Sequence, residues 1–303
     1  MQPSIWVEKY RSKNLNEVIF QDHQQEAFFR QCVEKNDIPH LLIYGVQGTG
    51  KTTTSKVLLS ELNVNRADRL RINCSDEKID ALRSKVTSFA LTLPLGKFKV
   101  VQLEELDMLS LDGQGLLRGL IEQASTYCRF IATCNYVNRV IPALRSRFQE
   151  FYFRAPDKEK IALRAVEVLE AEGVEFDLED LVTYIDVAYP DIRKTIQLLQ
   201  QNSQGGKLLS PKNLAGEAAD WKFGLLETLE RGDWKAARKL VCDSATREEH
   251  ESVYTFLYQN LDRLKVKDKD AAIITIAEYA RSHALVADTE INLAAAFVSL
   301  GAL

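Results

Sequence analysis

"HLLIYGVQGTGKTTTSKVLLSEL", residues 40–62, decides the fold. An apolar run, Leu41 to Tyr44, stops at Gly45, and the octet "GVQGTGKT" (45–52) leads into a helical stretch. The octet has the spacing G-x-x-x-x-G-K-[ST] between a strand and a helix, where a phosphate loop belongs. Glycines let the backbone wrap around phosphates with its N–H groups turned inward, and the helix N-terminus adds positive potential. Lys51 would reach the β- and γ-phosphates, and the Thr52 hydroxyl would bind Mg²⁺. Gly45, Gln47, Gly48, Thr49, Gly50, Lys51, Thr52 and Thr53 make up the expected nucleotide contacts.

Outward from this loop, residues 1 to about 155 alternate between short strands and helices. "RLRINC" (69–74), "FKVVQL" (98–103) and "CRFIATCN" (128–135) are further apolar runs, each separated from the next by a helical stretch. That is the pattern of an α/β fold, a parallel sheet with helices on both faces. After Pro156 only helical periodicity is read: Ile161, Ala165, Val168 and Leu169, then Leu178, Leu181, Val182 and Ile185. Asp191 is placed to cap a third helix. "NSQGGKLLSPKN" (202–213) reads as a linker. From about 218 to the end the chain is helical again, and "INLAAAFVSLGAL" is apolar almost all round, which suggests burial against other helices or another subunit.

The 303 residues exceed one small core, and 46% apolar with 27% charged residues describe an ordinary soluble chain. No apolar run reaches a membrane span, and the first residues lack a signal-peptide pattern, so a cytoplasmic protein without membrane contact is expected. Five cysteines form no CxxC pair and, with four histidines, no convincing zinc set. A net charge of −4 confines any nucleic-acid contact to a local patch.

A phosphate loop needs a metal-side carboxylate and a group that orients water. "VVQLEELD" (100–107) supplies Glu104 for the first and Glu105 for the second, about fifty residues after the loop. Glutamate where aspartate is usual keeps the charge and adds one methylene, and a polar Gln102 interrupts the apolar run. Asn135 ends the next strand, either near the γ-phosphate or as a plain turn residue. "LRSRF" (144–148) carries Arg147 with no evident partner in the chain, a surface charge or a reach to a neighbour's nucleotide. Arg193, in "YPDIRK", matters only if its segment folds over the loop.

With these residues assembled, the chain resembles an AAA+ sliding-clamp loader ATPase subunit. "WVEKYRSKNLNEVIFQDH" (6–23), "INCSDEKID", "ATCNY" and "LRSRF" are similar to replication factor C small subunits. "NCSDEKID", "YPDIRKTI" and "ADTEINLAAAFVSL" resemble the large, ATP-hydrolysing subunit of T-even-like bacteriophage loaders. The resemblance implies a P-loop AAA+ domain (1–155), a small helical lid (156–217) and an all-α collar (218–303). It implies ATP and Mg²⁺ as cofactors, Glu104 as the metal-side acid, Glu105 as the base, and Asn135 and Arg193 as sensors. Arg147, within Ser146-Arg147-Phe148, would complete the next subunit's site, and Tyr10, Arg11 and Val18 would line the adenine side. The family has cysteine where Phe148 stands and aspartate where Glu104 stands.

The implied partners are a sliding clamp, primer-template DNA and other loader subunits in a pentameric ring, several copies of this chain with one smaller subunit. Ser75 is a candidate cap for the helix beginning "DEKIDALRSKV", where Lys78, Arg83 and Lys85 add positive charge suited to phosphate contact. Ser75, Lys78, Arg83, Gln114 and Arg118 form the expected DNA-contact set, although alone they read as solvated helix residues. Phe89 reads as core, and Leu91 and Leu93 as an exposed contact for the clamp. The alternatives are another AAA+ DNA motor of helicase or initiator type, a non-hydrolysing nucleotide-binding scaffold, and a small-molecule P-loop kinase.

Overall fold

The computed structural model describes residues 5–211 and 220–303. The chain divides into two compact units, one running through Ile161 and including Pro190–Lys194, the other formed by Ala162–Tyr189 with the residues from Thr195 onward.

The first unit is built on five strands, β1 Leu41–Gly45, β2 Arg69–Asn73, β3 Lys99–Glu104, β4 Cys128–Cys134 and β5 Gln149–Phe153. Their order is β2-β3-β4-β1-β5 and every pairing is parallel. Alternation along the strands fills both faces. Leu41, Ile43, Val100 and Ile131 pack with α2 (His23–Lys35) and α3 (Lys51–Glu61), through Phe29, Cys32, Val57 and Leu58. Leu42, Ile72, Val101 and Phe130 pack with α4 (Ile79–Ala90) and α5 (Leu111–Ala124), through Leu82, Val86, Leu117 and Ile121. One-turn helices α1 (Trp6–Lys9) and α6 (Pro142–Arg145) complete the unit, with the start of α7 (Lys158–Ala171).

Four of these strands are the expected ones. β5 is not read from the sequence, because "QEFYF" opens on two polar residues and pairs on one side only, with β1. An edge strand of this kind leaves no continuous apolar run. Phe89 is half-buried and packs against the α4–α5 core, while Leu91, Leu93 and Leu95 beyond α4 are 50, 73 and 76% exposed. Ser75 does not cap α4. The helix begins at Ile79 with Lys78 as its N-cap, and the Ser75 hydroxyl donates to Asp76 instead.

The second unit holds α8 (Leu178–Ala188), most of α9 (Ile192–Asn202), and α10 (Trp221–Arg231), α11 (Trp234–Ser244), α12 (His250–Gln259), α13 (Lys269–His283) and α14 (Thr289–Gly301). Leu178 and Val182 are exposed, and α8 buries Leu181, Tyr184 and Ile185 instead. α14 buries Leu293, Ala296, Phe297 and Leu300 and leaves Ile291 and Val298 exposed. The expected linker is in part a hairpin. β6 (Ser203–Gln204) and β7 (Lys207–Leu208) pair around Gly205 and Gly206, which stand at φ 59° and 78°. Two glycines with positive φ make a tight hairpin turn, so the composition that suggests a linker specifies a reversal. Residues 212 and 213 of that stretch lie outside the described residues.

Candidate nucleotide site

The phosphate loop joins β1 to α3. Gly45 lies hard against β5, where a Cβ would fall 2.0 Å from the Phe153 carbonyl oxygen. Gly50 has φ 91° and open space around it, so the requirement there is backbone conformation. Thr49 donates to Val46 O at 2.8 Å and braces the loop from within. Lys51 is 8% exposed, and its Nζ donates to Gly45 O at 2.9 Å and Val46 O at 2.7 Å. Burial pushes its pKa down to about 8, against the raising influence of Cys134, Asp107 and Asp191. An ammonium stripped of water and held by carbonyls gains from an incoming phosphate. Thr52 and Thr53 are half-buried in the first turn of α3, and Gln47 is exposed on the loop.

The polar residue inside β3 has a partner. Gln102 Nε2 donates to Ser55 Oγ at 2.9 Å, and both residues are buried. Ser55 is one helical turn beyond Thr52, and Glu104 is two residues beyond Gln102 on the same face of the strand. The Gln102–Ser55 bond therefore sets the end of β3 beside the head of α3. Glu104 itself is held by Arg71, Nε to Oε1 at 2.8 Å and Nη2 to Oε2 at 2.5 Å. Glu105 is exposed and stands in the left-handed region at φ 56°, ψ 47°, a conformation that costs a glutamate on the order of 1 kcal/mol.

Asp107 belongs to this site, although no motif in the sequence names it. It is 7% exposed, and its Oδ2 accepts the backbone N–H groups of Asn135 at 3.3 Å and Tyr136 at 2.9 Å. The turn after β3 is thereby fastened to Asn135 and Tyr136, which follow the end of β4. Oδ1 has no partner among the described residues, although it is buried. A carboxylate at a buried position three residues past Glu104 is the signal available in the sequence, and no periodicity marks it.

Asp191 and Arg193 group with this unit. A Cβ on Gly48 would fall 2.1 Å from the Asp191 carboxylate, which also accepts the Lys194 N–H at 3.0 Å at the head of α9. Arg193 is exposed and its charge reaches Lys51. Tyr10, Arg11 and Val18 are half-buried, and the charge of Arg11 acts on Lys56 of α3.

Arg147 is elsewhere. It precedes β5, whose first residue, Gln149, is level with Leu41, the first of β1, whereas the phosphate loop begins at Gly45, the last of β1. The length of a strand, about 3.3 Å per residue, separates it from its own chain's loop. It does have a partner, contrary to the expectation: its Nη2 donates to Glu122 on α5, to which Arg118 also lies 3.9 Å away. Beside it opens a cleft of about 520 Å³ lined also by Lys35, Asp37, His40 and Arg129. Burial, then the Arg129 charge, pushes the His40 pKa down to about 4. Phe148 is buried in the α4–α5 core, so the side chain where the resemblance has cysteine is a packing residue.

Of the expected DNA-contact residues, Ser75, Lys78, Arg83 and Arg118 are exposed. Gln114 is not. It is 1% exposed, its Nε2 donates to Leu109 O and Arg139 O, both at 3.0 Å, and its Oε1 accepts Ile141 N–H at 2.8 Å. An amide spent on three backbone groups inside the fold has nothing left for DNA.

Residues 41–155 match the ATPase family associated with various cellular activities (AAA). The replication factor C small subunit of Archaeoglobus fulgidus is 38% identical over 246 residues, 78% of this chain and 77% of that protein. The chain belongs to the replication factor C small subunit family. Replication factor C subunit 2 of Saccharomyces cerevisiae is 35% identical over 262 residues, covering 78% of this chain and 74% of that protein. Among solved structures, the Thermotoga maritima RuvB Holliday junction branch migration motor superposes with a TM-score of 0.56 at 18% identity, over 73% of this chain and 79% of that one. A single-substitution variant of the same RuvB gives 0.58 at 16% identity, over 93% and 90%. At that identity the likeness is one of fold alone. As a member of this family, the chain binds nucleotide and is an ATPase. Among the described residues no helix is long and apolar enough to cross a membrane.

Proposed function

We propose that this chain is the motor subunit of a sliding-clamp loader, which opens a ring-shaped clamp and places it on primer-template DNA. It would work in the cytoplasm, in a pentameric ring of several copies with one smaller subunit. Residues 1–155 would form the ATPase domain, 156–217 a lid and 218–303 a collar. The family carries the motor assignment, and the ring is carried by the separation of Arg147 from its own phosphate loop across the length of β1. An arginine on the far end of the sheet has a catalytic use only if a neighbour's nucleotide comes to it.

In the site, Lys51 and the loop N–H groups hold the phosphates, Glu105 orients the attacking water, and Asn135 and Arg193 sense the γ-phosphate. The Thr52 hydroxyl and the Glu104 carboxylate are hard oxygen donors, which fit Mg²⁺. The bound ion would neutralise charge on the phosphate oxygens. Ser75, Lys78, Arg83 and Arg118 would track the DNA backbone, and Leu91 and Leu93 would meet the clamp. Turnover measured with clamp, with primed DNA and with both tests the reading. Stimulation greatest with both together is expected, and an ATPase indifferent to both would overturn it.

A further inference from the structure

Arg71 and Glu104 close on each other across the β2–β3 pair. One planar guanidinium engages both oxygens of the strand-end acid, Nε to Oε1 at 2.8 Å and Nη2 to Oε2 at 2.5 Å. The ladder sets the geometry. Arg71 is level with Gln102 and Asn73 with Glu104, so the pair lies on a diagonal of the α3 face. The arginine side chain is 58% exposed and the glutamate 13%. Arg71 thus buries little of itself, and its fork is the principal contact it offers the fold. Lys56 on α3 feels both charges, which puts the pair beside the helix that carries Thr52. An aspartate at 104 would stop one methylene short of the same fork, so the glutamate and the arginine suit each other.

We propose that Arg71 is a positioning residue that holds Glu104 in reserve and competes with a divalent cation for its carboxylate, so that entry of the metal–nucleotide opens the fork. The inference rests on Glu104 being the metal-side acid. A guanidinium bound through both oxygens neutralises the charge that attracts a divalent ion, and it occupies lone pairs the ion would use. Because Arg71 is largely in water, the competition is modest, roughly three- to fivefold in apparent cation affinity.

The test is a Mg²⁺ titration of fluorescent ADP binding to the full chain, comparing the parent with R71Q, E104Q and the double variant. R71Q should lower the Mg²⁺ midpoint roughly three- to fivefold, leave affinity without Mg²⁺ unchanged, and have no effect when E104Q is already present. R71K keeps the charge without the fork and should give a smaller shift, which serves if R71Q does not fold. A midpoint unchanged or raised in R71Q, or in R71K if only that variant folds, overturns the proposal. If E104Q alone leaves the midpoint where it was, the metal-side reading of Glu104 is what fails.

Discussion

Gln102 on β3 donates to Ser55 on α3 at 2.9 Å, and that single buried bond registers the strand that ends at Glu104, just before Glu105, against the helix carrying Lys51 and Thr52. Gln102→Leu would leave the Ser55 hydroxyl unpaired in an apolar layer. A loss of about 1–3 kcal/mol in stability is expected, read as a lower denaturant midpoint with unchanged slope. Turnover should fall more than nucleotide affinity, since the phosphate loop itself is untouched. A Gln102→Leu chain as stable and as active as the parent would show the bond to be incidental.

Lys51 gives a pH signature. Its pKa in the folded chain lies near 8, below the ordinary lysine value, chiefly through burial. The unfolded chain therefore binds more protons above about pH 8, and the destabilisation from the buried charge, full below that pH, is relieved as pH rises toward 10.5. A phosphate beside Nζ favours the charged form, so nucleotide binding near pH 8 should take up a fraction of a proton. Calorimetry in buffers of different ionisation enthalpy measures it. Lys51→Met should abolish the uptake together with most of the affinity.

The glycine octet, four of the five strands and the acidic pair were legible because each depends on local pattern: backbone freedom, apolar runs, a charge at a strand end. Most of what stayed hidden depends on partners distant in the sequence. Asp107 and Gln102 are polar residues at buried positions, and nothing near them in sequence names Asn135 or Ser55 as their partners. Gln114 looks like any solvated helix residue until the backbone of Arg139 and Ile141 folds over it. β5 hides behind its polar opening, and the Gly205-Gly206 pair reads as freedom where it supplies a turn.

Arg147 should act on a neighbour. Arg147→Ala is expected to keep nucleotide affinity and lose roughly a thousandfold or more in turnover within an assembled ring. Mixing Arg147→Ala chains with Lys51→Ala chains should restore part of the activity, because some interfaces then pair an intact loop with an intact finger. Activity from purified Arg147→Ala equal to the parent's would confine the residue to its ion pair with Glu122. That exposed pair is worth under about 1 kcal/mol, so Glu122→Gln should barely move the melting temperature.

Glu105 separates binding from chemistry. Glu105→Gln keeps size and hydrogen-bonding capacity but removes the carboxylate proposed as the base. Turnover should drop by about 10²–10⁴, with nucleotide affinity nearly unchanged in a filter or fluorescence assay. The left-handed backbone at this position, φ 56°, adds a second readout. Glu105→Gly should be equally inactive yet more stable, since glycine adopts that conformation without the steric cost borne by glutamate. Equal loss of binding and turnover in Glu105→Gln would place the residue with the nucleotide contacts instead.

The exposed cations of α4 and the buried amide of α5 make opposite predictions for DNA. Lys78 and Arg83 present charge to solvent, so the contribution proposed for them in DNA binding is phosphate neutralisation. Each phosphate contact released changes the slope of log affinity against log salt by about 0.9. A Lys78→Ala, Arg83→Ala chain should therefore lose nearly two units of slope for each copy touching duplex, with the same loss on any sequence. Gln114→Leu should leave the slope alone. Its cost falls on the fold, because Leu109 O, Arg139 O and Ile141 N–H would be left unpaired inside the unit, and a drop of several degrees in melting temperature is expected. Fluorescence anisotropy of a labelled primer-template across a salt series, beside thermal melts of both variants, distinguishes the two. If Gln114→Leu shifted the salt slope while melting like the parent, the buried position assigned to that amide would be wrong. If the double cation variant kept the full slope, the α4 surface would face something other than DNA.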